Sequence, residues 1–245
     1  DKDVDVLLGP TINLHRHPLG GRHFENYSED PFLVGKLATA YVKGVQSKNV
    51  SACLKHFIAN DTEFERHTVS SNVDERTLRE VYLLPFEMGV IEGKSKSVMS
   101  AYNKLNNIYC SSHKELLVDI LKNEWGFDGY VVSDWGAALE TNENANGGLD
   151  LEMPGPGNTW GEKLLSAISD GLVEEEIIND KVTRILRVGE FSGRFKSPEN
   201  KPEKSNIRQS HNQLLRDVAC EGMVLLKNEN VLPFDENKIK KLAVI

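Results

Sequence analysis

The stretch GYVVSDW, residues 129 to 135, carries an apolar run straight into a carboxylate and an indole. An acid in that position serves as a nucleophile, as a metal ligand or as the cap of the next helix. A metal would need several more carboxylates or histidines grouped around Asp134, and none is spaced that way, so no metal and no organic cofactor are expected. Trp135 sharpens the remaining choice. An indole beside a carboxylate is an apolar platform for the face of a sugar ring, an arrangement suited to cleaving glycosides.

Other short segments carry groups of the same kind. Lys55 and His56 in ACLKHF could be a Schiff-base lysine, a structural ion pair, or two donors for substrate hydroxyls. The first needs a desolvated pocket and a depressed pKa, which a neighbouring histidine does not by itself provide. In VMSAYN, Met99 and Tyr102, each taken singly, read as a packing residue and a core aromatic. Arg22 follows Gly20 and Gly21, so the backbone there can turn tightly and aim a guanidinium into a cleft. A lone surface arginine is the commoner case, and Arg66 in NDTEFERH has the same two readings.

These groups need elements to hold them. Apolar runs at 4–10, 50–57, 97–103, 129–135 and 148–154 alternate with helical periodicity at about 31–47, 74–92, 113–124 and 160–171. Asp30-Pro31 and Asp74-Glu75 mark two of the helix starts. Strand, loop and helix in repetition predict an α/β fold with a parallel sheet. No GxGxxG follows a strand and no GxxxxGK[ST] occurs, which weakens a nucleotide-binding version. The strands end instead in Lys55-His56, Tyr102-Asn103, Asp134-Trp135 and Glu152. In a (β/α)8 barrel of the TIM type such ends converge on one rim, around one substrate. Five strands can be counted where a closed barrel needs about eight. The expectation is a catalytic barrel over 1–192 that lacks its N-terminal strands. A Pro-, Lys- and Ser-rich linker follows over 193–209, then the start of an α/β sandwich domain over 210–245, with a helix near 210–227 and a strand beginning in KLAVI.

Composition narrows the partners. The chain has 245 residues, 39% of them hydrophobic, enough to bury a core. Lys plus Arg number 29 against 37 Asp plus Glu, a net charge of −8 with both signs intermixed, so nucleic acid is not an expected partner. No apolar run approaches the roughly 20 residues of a membrane span. Cys53, Cys110 and Cys220 lie far apart without CxxC spacing, which indicates neither a disulfide framework nor a zinc site.

The stretches LGPTINLHRHPLGGRHFENYSEDP, LKHFIANDTEFERH, VMSAYNKLNN, EWGFDGYVVSDW and GGLDLEMPGP, taken in order, resemble glycoside hydrolase family 3, in particular its β-glucosidases. The likeness runs from about residue 4 to VLLKNENVLPF. The resemblance implies that Asp134 of the SDW motif is the nucleophile and that Trp135 lines the glycosyl subsite. It further implies that Arg22, Lys55, His56, Arg66, Met99 and Tyr102 bind or border the sugar, and that the substrate is a small β-glucoside or oligosaccharide. The implied mechanism is retaining, through a covalent glycosyl-enzyme, with a second carboxyl group about 5 Å from the nucleophile. In this family's β-glucosidases that group is a Glu on the domain after the barrel, which would lie past residue 245, and the segment by itself is then expected to be inactive. Asp150 and Glu152 receive no such role from the family motif. One subgroup uses a His in a PGHG loop after its KHF motif; the corresponding stretch here lacks PGHG, which leaves His67 a poor acid. Alternative readings are a xylosidase or another exo-glycosidase of the same family, and a carbohydrate-binding segment without catalysis.

Overall fold

A computed structural model of the chain describes residues 2–241 and 243. The strands in chain order are β1 (Val6–Leu7), β2 (Ser51–Phe57), β3 (Ser70–Ser71), β4 (Ser97–Ser100), β5 (Lys104–Leu105), β6 (Ile108–Tyr109) and β7 (Tyr130–Ser133). The helices are α1 (Pro31–Gln46), α2 (the consecutive stretches Glu75–Thr77, Leu78–Leu83 and Leu84–Ile91), α3 (Glu115–Glu124), α4 (Asn142–Gly147), α5 (Glu162–Ser169), α6 (Glu175–Ser192) and α7 (Gln209–Gly222). Two compact units divide the chain, one of residues 4–200 and one of 201–241 together with Lys2 and Asp3. No described helix is long and apolar enough to cross a membrane.

The larger unit is built on four parallel strands in the order β1-β2-β4-β7. Leu54, Val98 and Val131 sit side by side in register, as do Met99 and Val132 one residue further on. Alternation along each strand sends these two sets to opposite faces. The first set joins the main core with Val34, Ala38 and Val42 of α1, Phe86 of α2 and Leu117 and Leu121 of α3. The second set, Met99 and Val132 with Cys53 and Tyr130, clusters with Ile185 and Val188 of α6. A sheet buried on both faces explains why its strands read as continuous apolar runs. Because Ser100 pairs with both Phe57 and Ser133, the residues that follow β4 and β7 leave the sheet at the same end as His56. The segments that follow β2 and β4 form a second sheet of three short strands in the order β3-β5-β6.

The two expected helix starts form as their sequences dictate. Asp30 Oδ1 accepts the N–H groups of Phe32 and Leu33 at 2.9 and 3.3 Å with Pro31 in the first turn, and Asp74 Oδ1 accepts that of Thr77 at 3.0 Å. One expectation needs correction, and two helices were not expected. The run 148–154 is not a continuous strand: it meets β7 through one bridge, Val132 to Leu151, with the Leu151 N–H on Val131 O at 3.0 Å and the Ser133 N–H on Leu151 O at 2.9 Å, while the Asp150 side chain takes the Val131 N–H and Pro154 closes the run without a donor. Helix α4 was not expected in its Asn-rich segment. Nor was α6, whose charged sequence hides a narrow stripe at Ile177, Lys181, Ile185 and Val188, spaced four, four and three residues apart.

The smaller unit holds α7, entirely exposed, and a turn in which Asn228 Oδ1 accepts the N–H groups of Val231 and Leu232 at 3.0 Å each. Of the run KLAVI, expected as a strand, Leu242, Val244 and Ile245 lie outside the described residues.

Candidate active site

Asp134 follows β7 directly. Its own N–H is tied to Ser100 O at 3.2 Å, which holds the residue at the sheet end, and its side chain is only 11% exposed. Oδ1 accepts the N–H of Trp135 at 2.7 Å. Oδ2 faces His56 Nε2 at 3.5 Å, and among the described residues no backbone N–H reaches it. One oxygen is therefore held by a backbone donor and the other is turned toward His56. Trp135 is 42% exposed, leaving its indole free to meet a ligand.

Tyr102 leaves the end of β4 and donates its hydroxyl to Trp135 O at 2.9 Å. Burial, and after it the nearby charge of Asp134, pushes this phenol up to about 12, so it stays protonated in neutral solution. The Arg66 guanidinium stacks over the Tyr102 ring at 4.5 Å, and the His67 ring meets the same tyrosine edge-on at 4.4 Å. Arg66 also holds Glu63 Oε2 at 2.6 Å, and Arg22 lies 3.9 Å from Glu63 Oε1 while pairing with Glu25. Thr11 donates to the second oxygen of Glu25 at 2.6 Å. Burial would raise the Glu25 carboxyl, but the hydrogen bonds from Arg22 and Thr11 outweigh it and keep the group ionised. Glu63 thus bridges the two arginines, and both guanidiniums are oriented before any substrate arrives.

The approach of Arg22 depends on the glycines before it. Gly21 has φ +94°, a region that side chains with a Cβ rarely enter, and a Cβ on Gly20 would stand 2.9 Å from Asp61 O and collide with the His23 ring. Asp61 also fastens this loop by accepting the Leu14 N–H at 3.1 Å; burial lifts its carboxyl to about 6 against the pull of Leu14, Arg16 and His23.

Lys55 and His56 stand near the end of β2. Lys55 O accepts the Ile12 N–H at 2.7 Å and the Lys55 N–H donates to Pro10 O at 3.1 Å, while among the described residues its ammonium makes no hydrogen bond or ion pair and is available to a ligand. Burial, reinforced by the charges of Arg22, Lys55 and Arg66, holds the His56 pKa well below the ordinary histidine value, and the ring is neutral. The structure thus brings Asp134, Trp135, Tyr102, His56, Arg66 and, through Glu63, Arg22 into one constellation. Met99 is placed differently. It is buried in the layer beneath, packed with Cys53, Tyr130 and Val132.

Sequence reading overlooked the groups that hold these side chains in place, namely Glu25, Glu63 and Asn13. Glu63 had a visible signal, its spacing of three residues from Arg66. Asn13 had none, because its partner His56 is 43 residues away. Asp150 and Glu152 are fully engaged elsewhere. Asp150 accepts Lys122 Nζ and the Val131 N–H at 2.7 Å each. Glu152 accepts the N–H groups of Asn158, Thr159 and Trp160 at 2.9, 3.0 and 2.8 Å. No group of three or more His, Cys, Asp or Glu side chains among the described residues is arranged to hold a metal ion.

This geometry coincides with a family match: residues 1–188 fit the model described as glycosyl hydrolase family 3 N terminal domain. The chain belongs to glycoside hydrolase family 3. It is 49% identical over 244 residues to a β-glucosidase of Rhizobium radiobacter, covering all of this chain and 30% of that protein. It is 48% identical to thermostable β-glucosidase B of Acetivibrio thermocellus, over 96% of this chain and 31% of the relative. Among solved structures, β-glucosidase 3B from Thermotoga neapolitana in complex with glycerol superposes with a TM-score of 0.86 at 46% identity, covering 96% of this chain and 34% of that one. The Kluyveromyces marxianus β-glucosidase in complex with glucose gives 0.87 at 41% identity, over 93% and 28%. The fold is therefore α/β of the TIM-barrel type, with part of the barrel present, and the chain spans about 30% of the length of the curated relatives it matches.

Proposed function

We propose that this chain carries the nucleophile and most of the glycosyl subsite of a retaining β-glucosidase that removes terminal non-reducing β-D-glucosyl residues. Asp134 attacks the anomeric carbon through Oδ2, forming a covalent glycosyl-enzyme as the bond to the aglycone oxygen breaks and that oxygen takes a proton from a general acid; water, giving its proton back to the same group, then displaces Asp134 and releases the sugar with net retention. The observation that carries this reading is the unequal treatment of the two carboxylate oxygens, Oδ1 anchored by the Trp135 N–H and Oδ2 left facing His56 at 3.5 Å. Trp135 supplies the apolar floor for the sugar. Lys55, Arg22 and Arg66 donate to hydroxyls, and these bonds tighten as the ring flattens toward an oxocarbenium ion. Tyr102 and His56 border the reacting centre, and Met99 shapes the wall below it.

The general acid is neither Asp150 nor Glu152, since both have their oxygens committed to lysine or backbone donors. Another segment of the polypeptide supplies it. In this reading residues 1–192 form the catalytic barrel portion, 193–209 a linker, and 210–245 the opening of an α/β sandwich domain. The sugar complexes of relatives from Thermotoga neapolitana and Kluyveromyces marxianus support the ligand class.

The test is trapping. An activated 2-deoxy-2-fluoro-β-D-glucoside, incubated with the longest natural polypeptide that carries this chain, should leave one fluoroglucosyl adduct on the peptide containing Asp134. An adduct on another residue, or turnover without any adduct at saturating reagent, overturns the assignment.

A further inference from the structure

Asn13 and His56 are bound to each other at three points. Asn13 Nδ2 donates to His56 O at 2.9 Å, the His56 N–H donates to Asn13 Oδ1 at 2.9 Å, and His56 Nδ1 lies 3.1 Å from the same Oδ1. Both residues are buried. The two backbone contacts decide which way the amide points, because a reversed amide would set its NH2 against a backbone N–H and its oxygen against a carbonyl. Oδ1 is therefore the atom that faces the ring, and an amide oxygen only accepts. For that contact to be a hydrogen bond, Nδ1 must carry a proton.

The other ring nitrogen looks into the site. Nε2 is 3.5 Å from Asp134 Oδ2, on the side where the attacking oxygen is presented. The charged groups that act on the ring are Arg22 from the loop before α1, Lys55 beside it on β2, Arg66 from the loop after β2 and Asp134 after β7. Three cations and burial oppose a second proton, and one carboxylate favours it. A neutral ring with its proton on Nδ1 has a lone pair on Nε2.

We propose that Asn13 is a positioning residue that fixes the His56 proton on Nδ1, so that Nε2 is presented beside Asp134 as an acceptor for a sugar hydroxyl. A hydroxyl can donate to Nε2, whereas an ether or a fluorine at that position cannot. The choice of a sugar as donor rests on the function proposed above; the position of the proton does not.

The experiment is nitrogen NMR on the full chain labelled with 15N-histidine, with the His56 signals identified by their loss in His56→Gln. At pH 7 the expected spectrum gives Nδ1 a pyrrole-type and Nε2 a pyridine-type resonance. In Asn13→Ala the ring should turn over to the Nε2–H form, which donates to Asp134, and added glucose should move the Nε2 signal of the parent chain toward the pyrrole range. A proton on Nε2 in the parent, a doubly protonated ring at pH 7, an unchanged tautomer in Asn13→Ala, or an Nε2 signal indifferent to glucose each overturns the proposal. Should Asn13→Ala fail to fold, Asn13→Asp retains the acceptor oxygen: it should keep the Nδ1 proton and take up the second one at higher pH than the parent, and an unshifted titration overturns the role of Asn13. Failed trapping with the expected tautomer would count against the nucleophile, whereas an adduct on Asp134 with the opposite tautomer would count against Asn13 alone.

Discussion

Two aspartates in this chain sit among cations, and they are used in opposite ways. Asp150 is fully buried between Lys122 at 2.7 Å and Lys181 at 3.9 Å, and each of its oxygens has a donor. Asp134 lies 3.5 Å from the neutral His56 ring, which itself feels the charges of Arg22, Lys55 and Arg66, yet among the described residues one of its oxygens is held by no backbone donor. In the first case positive charge compensates a carboxylate that is finished with bonding. In the second it surrounds a carboxylate whose bonding is incomplete. Counting nearby charges would not separate the two, whereas following each oxygen to its donor does. The arginines show the same division of labour, for Glu25 and Glu63 take up their charge and geometry and leave Asp134 free of a direct salt bridge to either.

The largest effect that would break this contrast is at Asp134. Asp134→Asn in the longest natural polypeptide should lower kcat/KM on an aryl β-glucoside by on the order of 10⁴-fold or more, about 5 kcal/mol, while thermal unfolding stays within a few degrees of the parent. Activity within tenfold of the parent would place the reactive oxygen elsewhere. Asp150→Asn should do the reverse. It leaves Lys122 and Lys181 buried with only the half-exposed Asp180 as countercharge, at a cost of about 3–5 kcal/mol in urea unfolding, and the rate of adduct formation per folded molecule is unchanged.

The smallest effect concerns Lys181. Burial, opposed in part by Asp150, lowers its pKa to about 8, below the value of an unfolded lysine. The unfolded chain then binds more protons between about pH 8 and pH 10, so stability rises with pH across that window. Lys181→Met removes this lysine's contribution, on the order of 2–3 kcal/mol, and is expected to leave a flatter pH profile and a chain more stable at pH 7. A profile of unchanged slope in urea unfolding would show that Lys181 is not the group responsible.

Much of the frame was legible in the sequence because its signals are local. Apolar runs marked β2, β4 and β7, and Asp30 and Asp74 announced α1 and α2. The residues with chemistry stood at the ends of those runs, and they meet in the structure. What escaped was set by pairing at a distance or by a weak pattern. Helix α6 buries a thin stripe within a charged sequence, and 148–154 looked like a strand although it bridges β7 only at Leu151, with the Asp150 side chain taking the Val131 N–H and Pro154 ending the run. Asn13, Glu25 and Glu63 escaped for a different reason: they touch other side chains of the site rather than the space a substrate would fill.

The bond from the Tyr102 hydroxyl to the Trp135 carbonyl has a mechanical consequence. Trp135 is joined covalently to Asp134 on one side and braced by a phenol from a neighbouring strand on the other, while that phenol's ring is itself pressed by the Arg66 guanidinium. In the function proposed above, the floor on which a pyranose would lie and the oxygen that would strike it are thus parts of one bracket, so the angle of approach would be decided when the polypeptide folds rather than when the ligand docks.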